Sequence, residues 1–161
     1  MLLRLCALGL LLCLGPAVRA EDPLFDLHAI AAPPLEGTVL SRAAKDGIVT
    51  EEVQFFSEMD GTKRVDIYAI FCYPEGAKAL PAFVWNQAGL GRASEYFPVL
   101  GAKRGYAALC IDYPIAGYRS TGGYRIGLEL EGDPKQNGIY HAAVALLRAV
   151  RVDVNAGPPW P

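Results

Sequence analysis

The sequence lacks the features that mark several common classes of protein. No cluster of lysine and arginine is dense enough to contact a run of phosphate groups, and the 161 residues carry a net charge of −2, so nucleic acid is not an expected partner. Beyond residue 20 there is no second long apolar run, so an integral membrane protein is not expected. Only two histidines and four cysteines are present, and we predict neither a metal site nor a cofactor.

The scarce cysteines bear on the redox state of the chain. Two of them fall within the first 20 residues, and the other two, Cys72 and Cys110, lie in apolar strand candidates. A secreted protein permits a disulfide, but the sequence cannot place two Cα atoms within bonding range. We favour buried free thiols and keep the disulfide as the alternative.

The first 20 residues have the pattern of an export signal. Arg4 precedes an apolar run from Leu5 to Leu14, and Val18 to Ala20 form a small-residue cleavage pattern. The apolar run is shorter than the roughly 20 residues that a spanning helix needs, which disfavours a membrane anchor. We therefore expect a secreted or periplasmic protein cleaved after Ala20. The predicted division is a signal peptide at 1–20, an N-terminal arm at 21–48, an α/β domain at 49–153 and an aberrant Pro-rich tail at 154–161.

The stretch from Pro81 to Asp112 organises the α/β domain. Ala82 to Trp85 form an apolar run that predicts a strand buried on both faces. A glycine-bearing turn and a short helix follow, and Tyr106 to Ile111 predict a second strand that surfaces at Asp112. In such a β-turn-α-β unit, the functional end lies at the carboxyl ends of the strands.

An antiparallel hairpin is predicted before this unit. Thr50 to Ser57 and Val65 to Tyr73 have strand patterns, and the segment from Met59 to Thr62 contains an Asp-Gly turn signal between them.

A long loop and a helix are predicted after the unit. The loop runs from Tyr113 to Gln136, and a polar loop tip is the simplest interpretation of it, although long loops also bind ligands. Its candidate ligand contacts are Tyr118, Arg119, Ser120 and Tyr124. The helix begins at Asn137 or Gly138, with an apolar stripe predicted to face the core that comprises Ile139, Ala143, Leu146, Leu147 and Val150. Neither His28 nor His141 is predicted to have a catalytic role.

The order of these features resembles the N-terminal half of an α/β-hydrolase, most like secreted dienelactone-hydrolase-like and acetyl-xylan-esterase-like enzymes. The resemblance is carried by FVWNQAGLGRA at Phe83 to Ala93, by KRGYAALCIDYPIAGYRSTGGY at Lys103 to Tyr124, and more loosely by the helix at Gly138 to Val150. It covers roughly Val49 to Asp153. The resemblance implies an incomplete doubly wound sheet, in which an antiparallel hairpin precedes parallel strands.

The resemblance also implies a role for the turn after the first parallel strand. In the family, a backbone N–H of this turn helps form the oxyanion hole that stabilises the tetrahedral intermediate. That role would fall here to the amides of Gln87, Ala88 or Gly89. Many family members have His and Gly where Gln87 and Ala88 stand, which leaves the identity of the donating amide open, and a plain strand-to-helix turn is the alternative.

No catalytic residue is predicted, because the family's nucleophile lies in a Gly-x-Ser-x-Gly elbow on the strand after the last helix. That elbow does not occur here; the serines after residue 20 are Ser41, Ser57, Ser94 and Ser120. Prolines in the tail from Gly157 to Pro161 argue against a strand there. We therefore expect a truncated hydrolase that lacks the elbow strand, the catalytic histidine and the C-terminal half. We expect it to be inactive on the small-molecule or carbohydrate esters of the full-length family, and to expose the apolar edge of Ala82 to Trp85.

Two other functions were weighed. Gly89 to Ser94 fit the pattern Gly-x-Gly-x-x-Ser after a strand, and Asp112 ends the next strand, as in a dinucleotide-binding domain. The export signal and Pro98, which shortens the helix that would face a pyrophosphate, weaken this hypothesis. A non-catalytic secreted binding module is the third possibility.

Overall fold

The computed structural model describes residues 24–86, 91–115, 119–127 and 132–152. The strands in these ranges are β1 (Thr38–Lys45), β2 (Ile48–Asp60), β3 (Lys63–Pro74), β4 (Ala82–Trp85) and β5 (Ala107–Ile111). The helices are α1 (Leu27–Ala31), α2 (Tyr96–Ala102) and α3 (Gly138–Ala149), with a 3₁₀ turn at Pro134–Gln136.

The strands form one mixed sheet in the order β1-β2-β3-β5-β4. The pairs β1–β2, β2–β3 and β3–β5 are antiparallel, whereas β4 and β5 are parallel and are joined through α2. The predicted order of an antiparallel hairpin followed by parallel strands is confirmed, as is the α/β class of an incomplete sheet.

The predicted hairpin is β2 and β3, with longer strands than the pattern indicated. Asp60 pairs with Lys63, and Gly61 in the turn has a φ of 58°. Because glycine has no Cβ, it adopts this left-handed conformation without strain. The Asp-Gly turn therefore sets the register of the hairpin.

Strand β1 was not predicted, since residues 38–45 fell within the proposed arm. It pairs with β2 through a turn at Asp46 and Gly47, whose φ angles are 53° and 73°. This is a second Asp-Gly hairpin signal, and it lies within the segment assigned above to the arm. Most side chains of β1 are exposed, which is why the segment shows no apolar alternation.

Helices cover both faces of the sheet. Phe71 belongs to a core cluster that includes Ala145 and Ala149 of α3, whereas the next residue, Cys72, packs with Ala102 of α2. Successive side chains of a strand point to opposite faces. The helices α2 and α3 therefore lie on opposite sides of the sheet, as in a doubly wound fold.

Strand β4 is not buried on both faces, which corrects the prediction from its apolar run. Ala82 is exposed, and Phe83, Val84 and Trp85 are half-buried. The strand lies at the edge of the sheet and pairs with β5 alone among the described residues. Trp85 is covered by Phe97 of α2, with ring centroids 3.9 Å apart.

Helix α3 begins at Gly138 as predicted, capped by the side chain of Asn137, but it presents a different face to the sheet. Ile139 and Val150 of the predicted stripe are 53% and 67% exposed. The buried residues of α3 are Gly138, His141, Ala142, Val144, Ala145, Arg148 and Ala149. Two polar residues face inward because both find hydrogen-bonding partners there, as described below.

Cys72 and Cys110 are buried thiols that form no disulfide, as favoured from the sequence. Burial raises the pKa of the Cys72 thiol to about 11, so this group is protonated at neutral pH. None of the helices in the described ranges has the length and apolarity to cross a membrane.

Candidate functional site

The candidate site lies at the carboxyl ends of β4 and β5, where Asp112 follows β5 directly. The sequence suggested that the strand reaches the surface at Asp112, but this residue is only 1% exposed. One carboxylate oxygen accepts a hydrogen bond from the backbone N–H of Ala93 at 2.9 Å, and the other accepts from that of Arg119 at 3.0 Å. Asp112 therefore fastens the segment before α2 to the loop after β5.

This use of Asp112 argues against the dinucleotide hypothesis. In that hypothesis the acid at the end of the second strand accepts hydrogen bonds from a ribose hydroxyl. Here the carboxylate is buried, and each oxygen is already held by a backbone N–H of the chain itself. A ribose could bind only by displacing this network.

Ser120 is a structural bridge in this network. Its hydroxyl donates to the backbone carbonyl of Asp112 at 2.7 Å and accepts from the N–H of Tyr68 at 2.8 Å, and the residue is 5% exposed. The next residue, Thr121, exchanges hydrogen bonds with the backbone of Asp66. The predicted ligand-loop residue Ser120 is thus tied to β3, and its hydroxyl has no histidine partner among the described residues.

Arg119, a predicted ligand contact, forms hydrogen bonds with side chains of β2 and β3. Its guanidinium donates to both carboxylate oxygens of Glu52 at 2.9 Å each and to the Tyr68 hydroxyl at 2.6 Å. It also lies 3.7 Å from the centroid of the Tyr68 ring. These hydrogen bonds from Arg119 lower the pKa of Glu52 to about 2, and burial raises the pKa of Tyr68 to about 12.

Tyr124 lies apart from Asp112, against the turn of the β2–β3 hairpin. Its hydroxyl donates to Asp60 at 3.0 Å, and its ring centroid lies 3.6 Å from that of His141, with the two rings tilted by 30°. The ammonium of Lys63 lies 4.0 Å from the Tyr124 ring centroid. Burial is the main cause of a raised pKa at Tyr124. The other candidates, Gln87, Ala88, Gly89 and Tyr118, lie outside the described residues.

A pair between histidine and glutamate was missed by the sequence analysis. His141 is 2% exposed, and its Nδ1 lies 2.7 Å from a carboxylate oxygen of Glu58. The pair links residues 83 positions apart, so no local pattern could reveal it. A histidine held this way serves as a base where its second nitrogen contacts a nucleophile. Here, Nε2 of His141 and the hydroxyl of Ser57 each lack a partner among the described residues, so the two do not form a nucleophile–base pair.

Comparison with known proteins gives structural neighbours only. No protein-family profile and no curated protein matches the chain. An acetyl xylan esterase from Paenibacillus sp. R4 is 21% identical with a TM-score of 0.59, over 77% of this chain and 43% of that one. Acetyl xylan esterase 1 from Thermoanaerobacterium sp. JW/SL YS485 is 15% identical with a TM-score of 0.60, over 80% of this chain and 44% of that one.

The chain spans less than half the length of either esterase. At these identities the likeness concerns the fold. The predicted resemblance is confirmed at that level: the described residues have an incomplete α/β fold that is similar to part of the fold of these two acetyl xylan esterases.

Proposed function

We propose that this chain forms the oxyanion side of a carboxylic-ester hydrolase site and carries no nucleophile of its own. The observation that carries the proposal is the anchoring of Ala93 and Arg119 by the buried carboxylate of Asp112. This anchor fixes the segment before α2 at the carboxyl ends of two parallel strands, where α/β folds place their sites. The esterase fold of the structural neighbours supports the same assignment.

The described nucleophile candidates support the second half of the proposal. The hydroxyl of Ser120 is held in two hydrogen bonds, that of Ser57 is buried without a base, and Ser94 accepts from the N–H of Tyr96. The Cys72 thiol is neutral at physiological pH because burial raises its pKa to about 11, and a neutral thiol is a poor nucleophile.

The proposed substrate class is a small-molecule or carbohydrate ester, and the neighbours' names favour an acetyl ester of a carbohydrate. Contacts to the alcohol part of such an ester would come from residues other than those anchored by Asp112. In this proposal the chain supplies donors for charge stabilisation and does not supply the attacking group.

Hydrolysis of p-nitrophenyl acetate by the purified chain tests the missing nucleophile. We expect a rate equal to that of buffer, with no initial burst and no labelling by a fluorophosphonate. Saturable hydrolysis that is abolished by Ser57→Ala or Ser120→Ala would overturn this half of the proposal.

The oxyanion half is tested in a longer protein, in which this chain is followed by a strand with Gly-x-Ser-x-Gly and by the remaining catalytic residues, including the histidine. That protein is expected to hydrolyse p-nitrophenyl acetate. Replacing Asp112 by Ala should lower kcat by about tenfold or more with little change in KM, since misplaced donors weaken only the transition state. An unchanged kcat in the folded variant would contradict the proposal.

A further inference from the structure

A second concave region lies away from Asp112, between α1, the end of β2 and the start of α3. It is a cavity of about 300 Å³ that is open to solvent on one side. This volume is at the lower end of the range found for small-molecule sites. None of the residues assigned to the ester-hydrolase site lines it.

The walls of the cavity are mostly apolar. Ile30 of α1, Phe56 of β2 and Val144 of α3 line it, and the latter two are 7% and 1% exposed. Tyr140 closes one side, and its ring is fixed by stacking on Phe25 with centroids 5.3 Å apart. The walls therefore suit a ring or a short hydrocarbon chain.

Ser57 places an unused polar group in this apolar setting. It is the extra residue of a β-bulge, since Phe56 is opposite Asp66 and Glu58 is already opposite Val65. Ser57 lines the cavity and is 2% exposed, and its hydroxyl has no hydrogen-bond partner among the described residues. Burying a hydroxyl without a partner is unfavourable, so a ligand that supplies one gains affinity. Bulges also occur often beside binding sites.

Glu58 provides a fixed acceptor beside Ser57. It lines the cavity, its side chain is 15% exposed, and His141 holds one of its oxygens at 2.7 Å. A ligand's polar group must therefore donate to a carboxylate, which disfavours an acid. Lys135 and Asp26 also line the cavity and carry opposite charges that offset each other. A hydroxyl group, which can both donate and accept, meets these conditions.

We propose that this cavity binds a small uncharged molecule that has an apolar ring or short chain and one hydroxyl group. The hydroxyl group pairs with Ser57 and Glu58, and the apolar part contacts Ile30, Phe56 and Val144. This site is independent of the proposed ester-hydrolase function, because it uses none of the same residues.

Titration of the isotope-labelled chain with benzyl alcohol, followed by NMR, tests the proposal. We expect the chemical shifts of Ser57, Glu58 and Tyr140 to change in a saturable way. Toluene has the same ring without the hydroxyl and should bind at least fivefold more weakly, and benzoate should bind more weakly still. No saturable shift with benzyl alcohol, or equal or tighter binding of toluene or benzoate, would overturn the proposal.

Two variants separate binding from folding. Ser57→Ala should weaken benzyl alcohol binding by about fivefold, the usual effect of one hydrogen bond, while thermal stability is kept or increased. Ser41→Ala, on the exposed strand β1, is the matched control and should bind as the wild type does. Ala29→Phe places a ring in the cavity from the exposed helix α1 and should abolish binding. Unchanged binding in Ser57→Ala or in a folded Ala29→Phe variant would contradict the assignment.

Discussion

At the residue scale, the contact between Arg119 and Glu52 joins the loop after β5 to the hairpin. Both carboxylate oxygens of Glu52 accept hydrogen bonds from one guanidinium. This bidentate geometry fixes the orientation of the two groups and also strengthens the ion pair. The Tyr68 ring beneath Arg119 completes the contact at 3.7 Å. This contact holds the loop that presents its backbone N–H to Asp112.

The ion pair between Glu52 and Arg119 should make the free energy of unfolding depend on pH in the acid range. The pKa of Glu52 falls from 4.5 to about 2 on folding because Arg119 donates hydrogen bonds to it. The native state thus binds fewer protons than the unfolded state between these values, so the stabilisation is complete above about pH 5 and is lost as pH falls to 2. Because the Glu52 side chain is 33% exposed, we expect the pair to contribute at most about 1 kcal/mol to the free energy of unfolding.

Urea unfolding of the wild type and Glu52→Gln at pH 7, 4, 3 and 2 measures this effect. The difference in free energy of unfolding should be largest at pH 7 and should vanish near pH 2. Glu75→Gln, in an exposed turn without an ion pair among the described residues, provides the baseline. A difference that persists at pH 2 would show that charge pairing is not its source.

The sequence did not show what the loop residues Arg119 and Ser120 contact. Arg119 and Ser120 were chosen because polar residues on a long glycine-bearing loop are common ligand contacts. Their partners Glu52 and Tyr68 lie more than 50 positions earlier, and only the fold brings them near. Spacing along the chain could not show that these side chains are occupied by the protein itself.

At the element scale, α3 shows how an apolar stripe can mislead. The helix is apolar on several sides, so the sequence offered more than one candidate face, and the choice of Ile139 to Val150 assumed that polar residues point outward. His141 and Arg148 instead point inward, where Nδ1 of His141 contacts Glu58 and the Arg148 guanidinium donates to four backbone carbonyls. Buried polar groups with partners are compatible with a core.

Matched substitutions in α3 test this orientation. Ile139→Glu, at a position 53% exposed, should change the free energy of unfolding by about 0.5 kcal/mol or less. Ala145→Glu, at a position fully buried against β2 and β5, should cost about 3 kcal/mol or more, because a carboxylate is buried without a partner. Urea unfolding at pH 7 gives both values. A larger loss for Ile139→Glu would restore the stripe predicted from the sequence.

At the scale of the whole molecule, Arg148 fastens the N-terminal segment to the sheet. It is fully buried, and its guanidinium donates to the carbonyls of Ile30, Pro33, Pro34 and Phe56 at 2.7 to 3.3 Å. Phe56 belongs to β2, whereas the other three lie at the end of α1 and just after it. The sequence placed this segment in a surface arm, because a proline-rich stretch without periodicity gives no sign of a distant arginine.

Removing that guanidinium should release the segment. Arg148→Met keeps the length of the side chain but leaves several buried carbonyls without donors, so we expect a loss of about 2–4 kcal/mol in the free energy of unfolding. Limited proteolysis should also cut residues 24–34 faster than in the wild type. Arg104→Met, which removes an exposed arginine bonded to the carbonyl of Leu100, should change neither. Unaltered proteolysis in Arg148→Met would show that the segment is held by other contacts.

The sheet order also has a consequence for the route of folding. Strands β1, β2 and β3 are neighbours in sequence and in space, so short loops close them at a small entropic cost. Joining β5 to β3 pairs Ala69 with Ile111, and β4 can align with β5 only after the crossover through α2. Contacts between distant residues form slowly. The sheet of β1, β2 and β3 is therefore expected to form early, and β5, which leads into Asp112, and β4 are expected to join it last.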